Sequence, residues 1–179
     1  MDYVFICCAK TYNAYVSRDN PQSMILPNIQ MASNLLDAGL KNGVKKALYI
    51  SSATLYQPSF NTLSEEDLDW NKDPNDAFFG VGWTKRYIEK LCEFYTRAGL
   101  TTLIVRPTNL YGKYDKSDEK IGHVLTSLVH RAINTDGPLK VYCNGVSTKD
   151  FLYINDFIRD VIKVFVGYDR CDPINLCSS

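Results

Sequence analysis

An α/β fold built on a doubly wound parallel sheet is expected from three features of this 179-residue sequence. Short, continuously apolar runs recur along it, as in parallel strands buried on both faces. Segments with apolar residues at helical spacing stand between those runs. Their strand–helix–strand order predicts βαβ units, which place helices on both faces of one sheet.

The length suits one domain, residues 1–179, with a substantial core. Lys and Arg number 20, as do Asp and Glu, and no basic run occurs, which argues against a nucleic-acid surface held by phosphate neutralisation. Cys7, Cys8, Cys92, Cys143, Cys171 and Cys177 show neither CxxC pairs nor a metal-ligand spacing. They read as reduced thiols packed as small apolar residues, and no metal site is expected. No run is apolar for long enough to span a membrane, and no signal-peptide pattern opens the chain. A soluble, cytoplasmic protein is expected.

Residues 2–8, DYVFICC, form the first apolar run and the first expected strand. Met24, Ile25, Ile29, Met31, Leu35 and Leu36 mark a helix over 21–39, closed by Gly39 and Gly43. Pro27 implies a kink or a start just before it. A second strand covers 46–52. Residues 53–79 are polar and rich in turn formers, and a loop of that length is commonly functional.

The helix expected over 80–99 organises the chain. Ile88, Leu91, Cys92 and Tyr95 form its buried stripe, with Glu89, Lys90, Glu93 and Arg97 off it, and Gly99 is its stop. Lys85 starts at the margin of that stripe, so it either snorkels to water or points into a site. A β-branched strand over 100–106 runs into 107–112 and a charged loop, 113–120. A helix over 122–134 follows. Strands are expected at 139–142 and 151–154 around an Asn144–Gly145 turn, then a helix capped by Asn155 or Asp156 and running to Phe165. A last strand covers 173–177. Segments between about 113 and 155 would form part of a small substrate-binding lobe.

Ser51 and Ser52 end one strand, Lys85 begins the next helix, and residues 107–110 end the strand after it. In a doubly wound sheet these points share the carboxyl-end rim, where ligands bind. Ser51–Ser52 is also readable as a plain strand-end turn, Pro107–Thr108–Asn109 as a helix-stopping loop, and His123 as a polar residue near a helix start.

SSATLY at 51–56, GWTK at 82–85, RPTNLYG at 106–112 and KDFLYIND at 149–156 together resemble the extended short-chain dehydrogenase/reductase family. These are the nucleotide-sugar epimerases, dehydratases and reductases. CCAK at 7–10, PTNLYG, and His123 followed by Arg131 are similar to the GDP-fucose-forming branch. The resemblance implies a Rossmann-like sheet and hydride chemistry on a nucleoside-diphosphate sugar, a GDP-sugar foremost, with NAD or NADP as cofactor. It implies catalytic roles for Ser52, Lys85 and His123. Ser52 matches a serine that bonds the reacting sugar oxygen, Lys85 a lysine that holds the nicotinamide ribose, and His123 an acid. Ile50, Ser51, Ser52, Ala53, Lys85, Pro107, Thr108, Asn109, Leu110 and His123 fall where the family lines its cofactor. Thr54, Asn109, Arg131, Tyr142 and Lys149 fall at substrate positions. Family members often form homodimers through the helices matching 21–39 and 80–99.

Three departures accompany these matches. Val81 stands where the YxxxK tyrosine belongs, four residues before Lys85. Thr54 replaces a cysteine base, and Tyr142 and Lys149 replace a tryptophan and an arginine at the diphosphate; lysine keeps the charge but not the bidentate fork. The earliest glycine is Gly39, so no glycine-rich turn follows the first strand. Matched to the family, that strand is the fourth, and the chain reads as a fragment short at both ends. A catalytically inactive relative, acting as a binding or oligomerising module, is the alternative expectation.

Overall fold

The computed structural model describes residues 1–12, 19–20, 22–116, 122–141, 145–146 and 148–178. Pro21, Tyr142, Cys143 and Asn144 of the readings above lie outside them. Four parallel strands form the main sheet, in the order β1 (Tyr3–Ile6), β2 (Lys46–Ile50), β3 (Thr101–Pro107) and β6 (Ile174–Leu176). Helices α1 (Gln22–Lys41) and α2 (Phe79–Arg97) cover one face, α4 (Ile154–Gly167) the other, so the sheet is doubly wound as expected. Alternation along the strands explains the two cores. Ala47, Tyr49 and Ile104 face Leu36, Ile88 and Cys92, whereas Leu48, Leu103 and Val105 face Phe157 and Val161.

α1 runs through Pro27 instead of starting there. Its Asn28 amide clamps the segment after β1, accepting from Lys10 N at 2.7 Å and donating to Lys10 O at 3.0 Å. α2 ends where Gly99 takes φ +110°, a conformation that suits glycine alone.

Several local expectations are corrected. β1 is not buried on both faces: it lies at the sheet edge, and Tyr3 and Phe5 are exposed except for ring contacts to Phe165. Residues 139–141 form no strand. β5 (Phe151–Tyr153) pairs in parallel with β4 (Asn109–Tyr111), a partner from far earlier in the chain that no local hairpin signal reveals. Because β5 runs directly into α4, Tyr153 holds the cap position and Asn155 and Asp156 fall in the first turn. There Asp156 suits the helix dipole and pairs with Arg159 at 2.9 Å. Of the described cysteines, all free, only Cys92 is buried; Cys7, Cys8 and Cys177 are exposed. Glu89, read as lying off the stripe of α2, is buried. No helix among the described residues is long and apolar enough to cross a membrane, and no cluster of three or more His, Cys, Asp or Glu residues there could hold a metal ion.

Candidate active site at the strand ends

β2 stops at Ile50 and the chain turns through a short 3₁₀ segment, Ala53–Leu55, capped by Ser52. The Ser51 amide donates to Val105 O at 2.8 Å, so the end of β2 lies against β3. The Ser52 hydroxyl oxygen accepts from Thr54 N at 3.2 Å and from Thr54 Oγ1 at 3.0 Å. Two donors arriving at one oxygen leave the serine's own proton for a further acceptor.

α2 packs its first turns onto this corner. A Cβ on Gly82 would fall 2.5 Å from the Pro74 ring and 2.9 Å from Thr54 O, so only glycine admits the approach. Arg86 stitches the long loop to the helix: fully buried, it donates to Leu55 O at 2.8 Å and Lys72 O at 2.6 Å and faces the Trp83 ring.

Lys85 does not snorkel. It is 9 % exposed, and its ammonium donates to Ile50 O at 2.8 Å and sits 4.8 Å from the Tyr49 ring centroid. Burial lowers its pKa to about 8, against the upward pull of the Glu89 carboxylate. Beneath it, the Tyr49 hydroxyl is buried without a hydrogen-bond partner among the described residues.

The end of β3 forms the neighbouring wall. Thr108 N donates to Leu176 O at 3.0 Å, and the Thr108 hydroxyl donates to Asp150. Asn109 binds Asp150 O through its side chain at 2.8 Å. Asp150 also takes the Ser178 hydroxyl and amide, so it gathers β3, β6 and the approach to β5.

Ile50, Ser51, Ser52, Ala53, Lys85, Pro107 and Thr108 thus stand at adjoining strand ends. Thr54, bonded to Ser52, and Asn109, bonded to Asp150, adjoin this rim, whereas His123, Arg131 and Lys149 lie further along the chain. His123 precedes α3 (Val124–Asn134), half-exposed, with Nδ1 2.8 Å from Asp115 Oδ1. Asp115 also accepts from Thr126. Arg131 donates to Lys140 O at 2.7 Å, Lys149 is exposed, and Val81 is half-buried in the first turn of α2. Sequence reasoning missed Glu89, Arg106, Asp115 and Asp150. For Glu89 a signal existed, since it lies one helical turn beyond Lys85; the others are recognisable only by their tertiary partners.

A parallel sheet with helices on both faces and polar groups gathered at its carboxyl ends is the architecture of dinucleotide-binding α/β proteins. The chain belongs to the NAD dependent epimerase/dehydratase family, whose sequence pattern matches residues 1–176. GDP-L-fucose synthase of Sinorhizobium fredii is 28% identical over 183 residues, which cover 98% of this chain and 57% of that protein. GDP-mannose 3,5-epimerase 1 of Oryza sativa subsp. indica is 26% identical over 184 residues, 99% of this chain and 47% of the relative. The crystal structure of a GDP-L-fucose synthetase from Naegleria fowleri bound to NADP superposes with a TM-score of 0.84 at 26% identity, covering 99% of this chain and 59% of that one. The chain therefore spans about half the length of the curated relatives it matches.

The residues present fit one end of a nicotinamide dinucleotide. A nine-tenths buried ammonium above an unpartnered phenol, beside a serine with a proton to give, suits the hydroxyl-rich nicotinamide ribose. A pyrophosphate in such folds is cradled by a glycine-rich turn after the first strand of the doubly wound sheet, and the first glycine of these residues is Gly39, within α1.

Proposed function

We propose that this chain carries the strand-end part of the active site of an NAD(P)-dependent nucleotide-sugar epimerase/reductase or dehydratase, with a GDP-sugar as the favoured substrate. The supporting observation is the buried Lys85 ammonium, anchored on Ile50 O next to Ser52. Lys85 holds the nicotinamide ribose, and the backbone at Ile50, Ser51, Ala53, Pro107, Thr108 and Leu110 lines the cofactor. A bound nicotinamide supplies or accepts hydride. Ser52 donates its proton to the reacting sugar oxygen, a role consistent with its acceptance of both Thr54 donors. His123 is the acid and adjoins the cofactor. With Nδ1 held by Asp115, its Nε2 is left to exchange a proton. Thr54, Asn109, Arg131, Tyr142 and Lys149 contact the sugar nucleotide, the cations facing its diphosphate. The segments between about 113 and 155 make up part of the substrate lobe.

The protein works in the cytoplasm as a homodimer. Leu26 and Leu35 on α1 and Tyr87 and Phe94 on α2 are exposed, as a helix-on-helix interface requires. A strictly monomeric chain in analytical ultracentrifugation would contradict the dimer. The second reading, a binding or oligomerising module without turnover, is favoured by Val81.

The test joins the chain to a glycine-rich βαβ unit, follows NADPH with keto forms of nucleoside-diphosphate sugars, whose carbonyl takes up the hydride and a proton, and follows new sugar products with the saturated sugars, to which the hydride is returned. Slow turnover of a GDP-sugar in one of these two assays, abolished by Lys85→Met, is expected. Sugar binding with neither NADPH consumption nor a new sugar product would support the second reading instead.

A further inference from the structure

Behind the strand-end residues lies a buried polar cluster in which Glu89, Arg106, Tyr56 and Asn175 have no part in the roles assigned above. Glu89 and Arg106, each with a side chain 3% exposed, form a bidentate pair, Nε to Oε1 at 3.0 Å and Nη2 to Oε2 at 2.7 Å. The Ser51 hydroxyl donates to the same carboxylate. Arg106 Nη1 donates to the Tyr56 hydroxyl at 2.8 Å, which donates to Asn175 Oδ1 at 2.8 Å. Asn175 N in turn donates to Glu65 at 2.7 Å. The cluster ties α2 to the ends of β2, β3 and β6 and to the long loop.

Stability alone does not explain such a pair, because apolar side chains of similar volume commonly serve a core as well or better. Its location is more informative. Ser51 lies between Ile50, whose carbonyl takes the Lys85 ammonium, and Ser52. Lys85 and Glu89 are four residues apart on α2, hence on one face. One helix face therefore grips the same strand end twice, by a cation at Ile50 and by a carboxylate at Ser51.

We propose that Glu89 is a positioning residue of this site: by holding Ser51 it fixes the Ile50 carbonyl that anchors Lys85 and the backbone that presents Ser52. The inference rests on Lys85 belonging to the site proposed above, but its test needs no cofactor, so the two fail separately. The groups facing Lys85 are Glu89 and Cys92 from α2, Tyr49 from β2 and Cys8 from the segment after β1.

The experiment titrates the 179-residue chain, labelled with ¹³C at lysine Cε, and reads the Lys85 midpoint by NMR. The unaltered chain should titrate at about 8. Ser51→Ala keeps the Glu89 charge, its arginine partner and the Ser51 amide bond to Val105 O, so the fold is retained while the side-chain hold on the strand end is lost. The Ile50 carbonyl, then placed by the backbone pairing alone, grips the ammonium less firmly, and the midpoint falls. Glu89→Gln also removes the carboxylate charge, and the midpoint falls further, by about a unit. A folded Ser51→Ala chain with the Lys85 midpoint and Cε shift of the unaltered protein would overturn the proposal.

Discussion

Arg106→Leu should destabilise the chain by about 3–5 kcal/mol, read as a lower denaturant midpoint at unchanged slope. The change leaves the Glu89 carboxylate at 3% exposure with the Ser51 hydroxyl as its remaining hydrogen-bond donor among the described residues. It also removes the donor that Arg106 gives to the Tyr56 hydroxyl. Deleting one partner of a buried pair strands the other charge in a medium that solvates it poorly. The double replacement Glu89→Leu with Arg106→Leu should recover most of the loss, since neither charge then remains buried. If Arg106→Leu alone proves neutral, water reaches this cluster and the pair does not hold the strand ends together.

Val81→Tyr should raise kcat by about 10²–10⁴-fold in the chain joined to a glycine-rich βαβ unit, the usual contribution of a positioned proton-transfer group. Position 81 precedes Lys85 by one turn of α2, so a phenol there shares a helix face with the ammonium. A nearby cation favours the phenolate, which lets a tyrosine exchange a proton near neutral pH. Valine has no proton to exchange. What turnover the natural chain shows must then use Ser52, Thr54 or His123, and His123→Ala should reduce it further. An unchanged or lower rate in Val81→Tyr would mean that the site is rebuilt around valine and that the family's tyrosine mechanism does not apply.

Much of this fold was legible because the relevant signals are local. The apolar run at 46–52, the β-branched run at 100–106 and the stripe of Ile88, Leu91, Cys92 and Tyr95 place β2, β3 and α2 within a residue or two. The gathering of Ser52, Lys85 and Pro107 on one rim followed from sheet topology alone. Features that depend on distant partners were not legible. Glu89 looks like a solvated helix residue until Arg106, 17 residues on, supplies its counter-charge. β4 is three residues long and has meaning only beside β5. The edge position of β1 is a property of strand order, and an apolar run does not reveal which of its faces lacks a cover.

If the rim around Lys85 is the proposed nicotinamide half-site, amide NMR of the 179-residue chain with the two halves of the cofactor presented separately should show it. Nicotinamide mononucleotide at millimolar concentration should perturb Ser51, Ser52, Ala53, Lys85 and Thr108, whereas adenosine monophosphate should leave them unmoved. Because no glycine-rich turn cradles a pyrophosphate, whole NADP⁺ should bind without micromolar affinity. Perturbation of the same amides by adenosine monophosphate, or none by nicotinamide mononucleotide, would contradict the assignment of this rim.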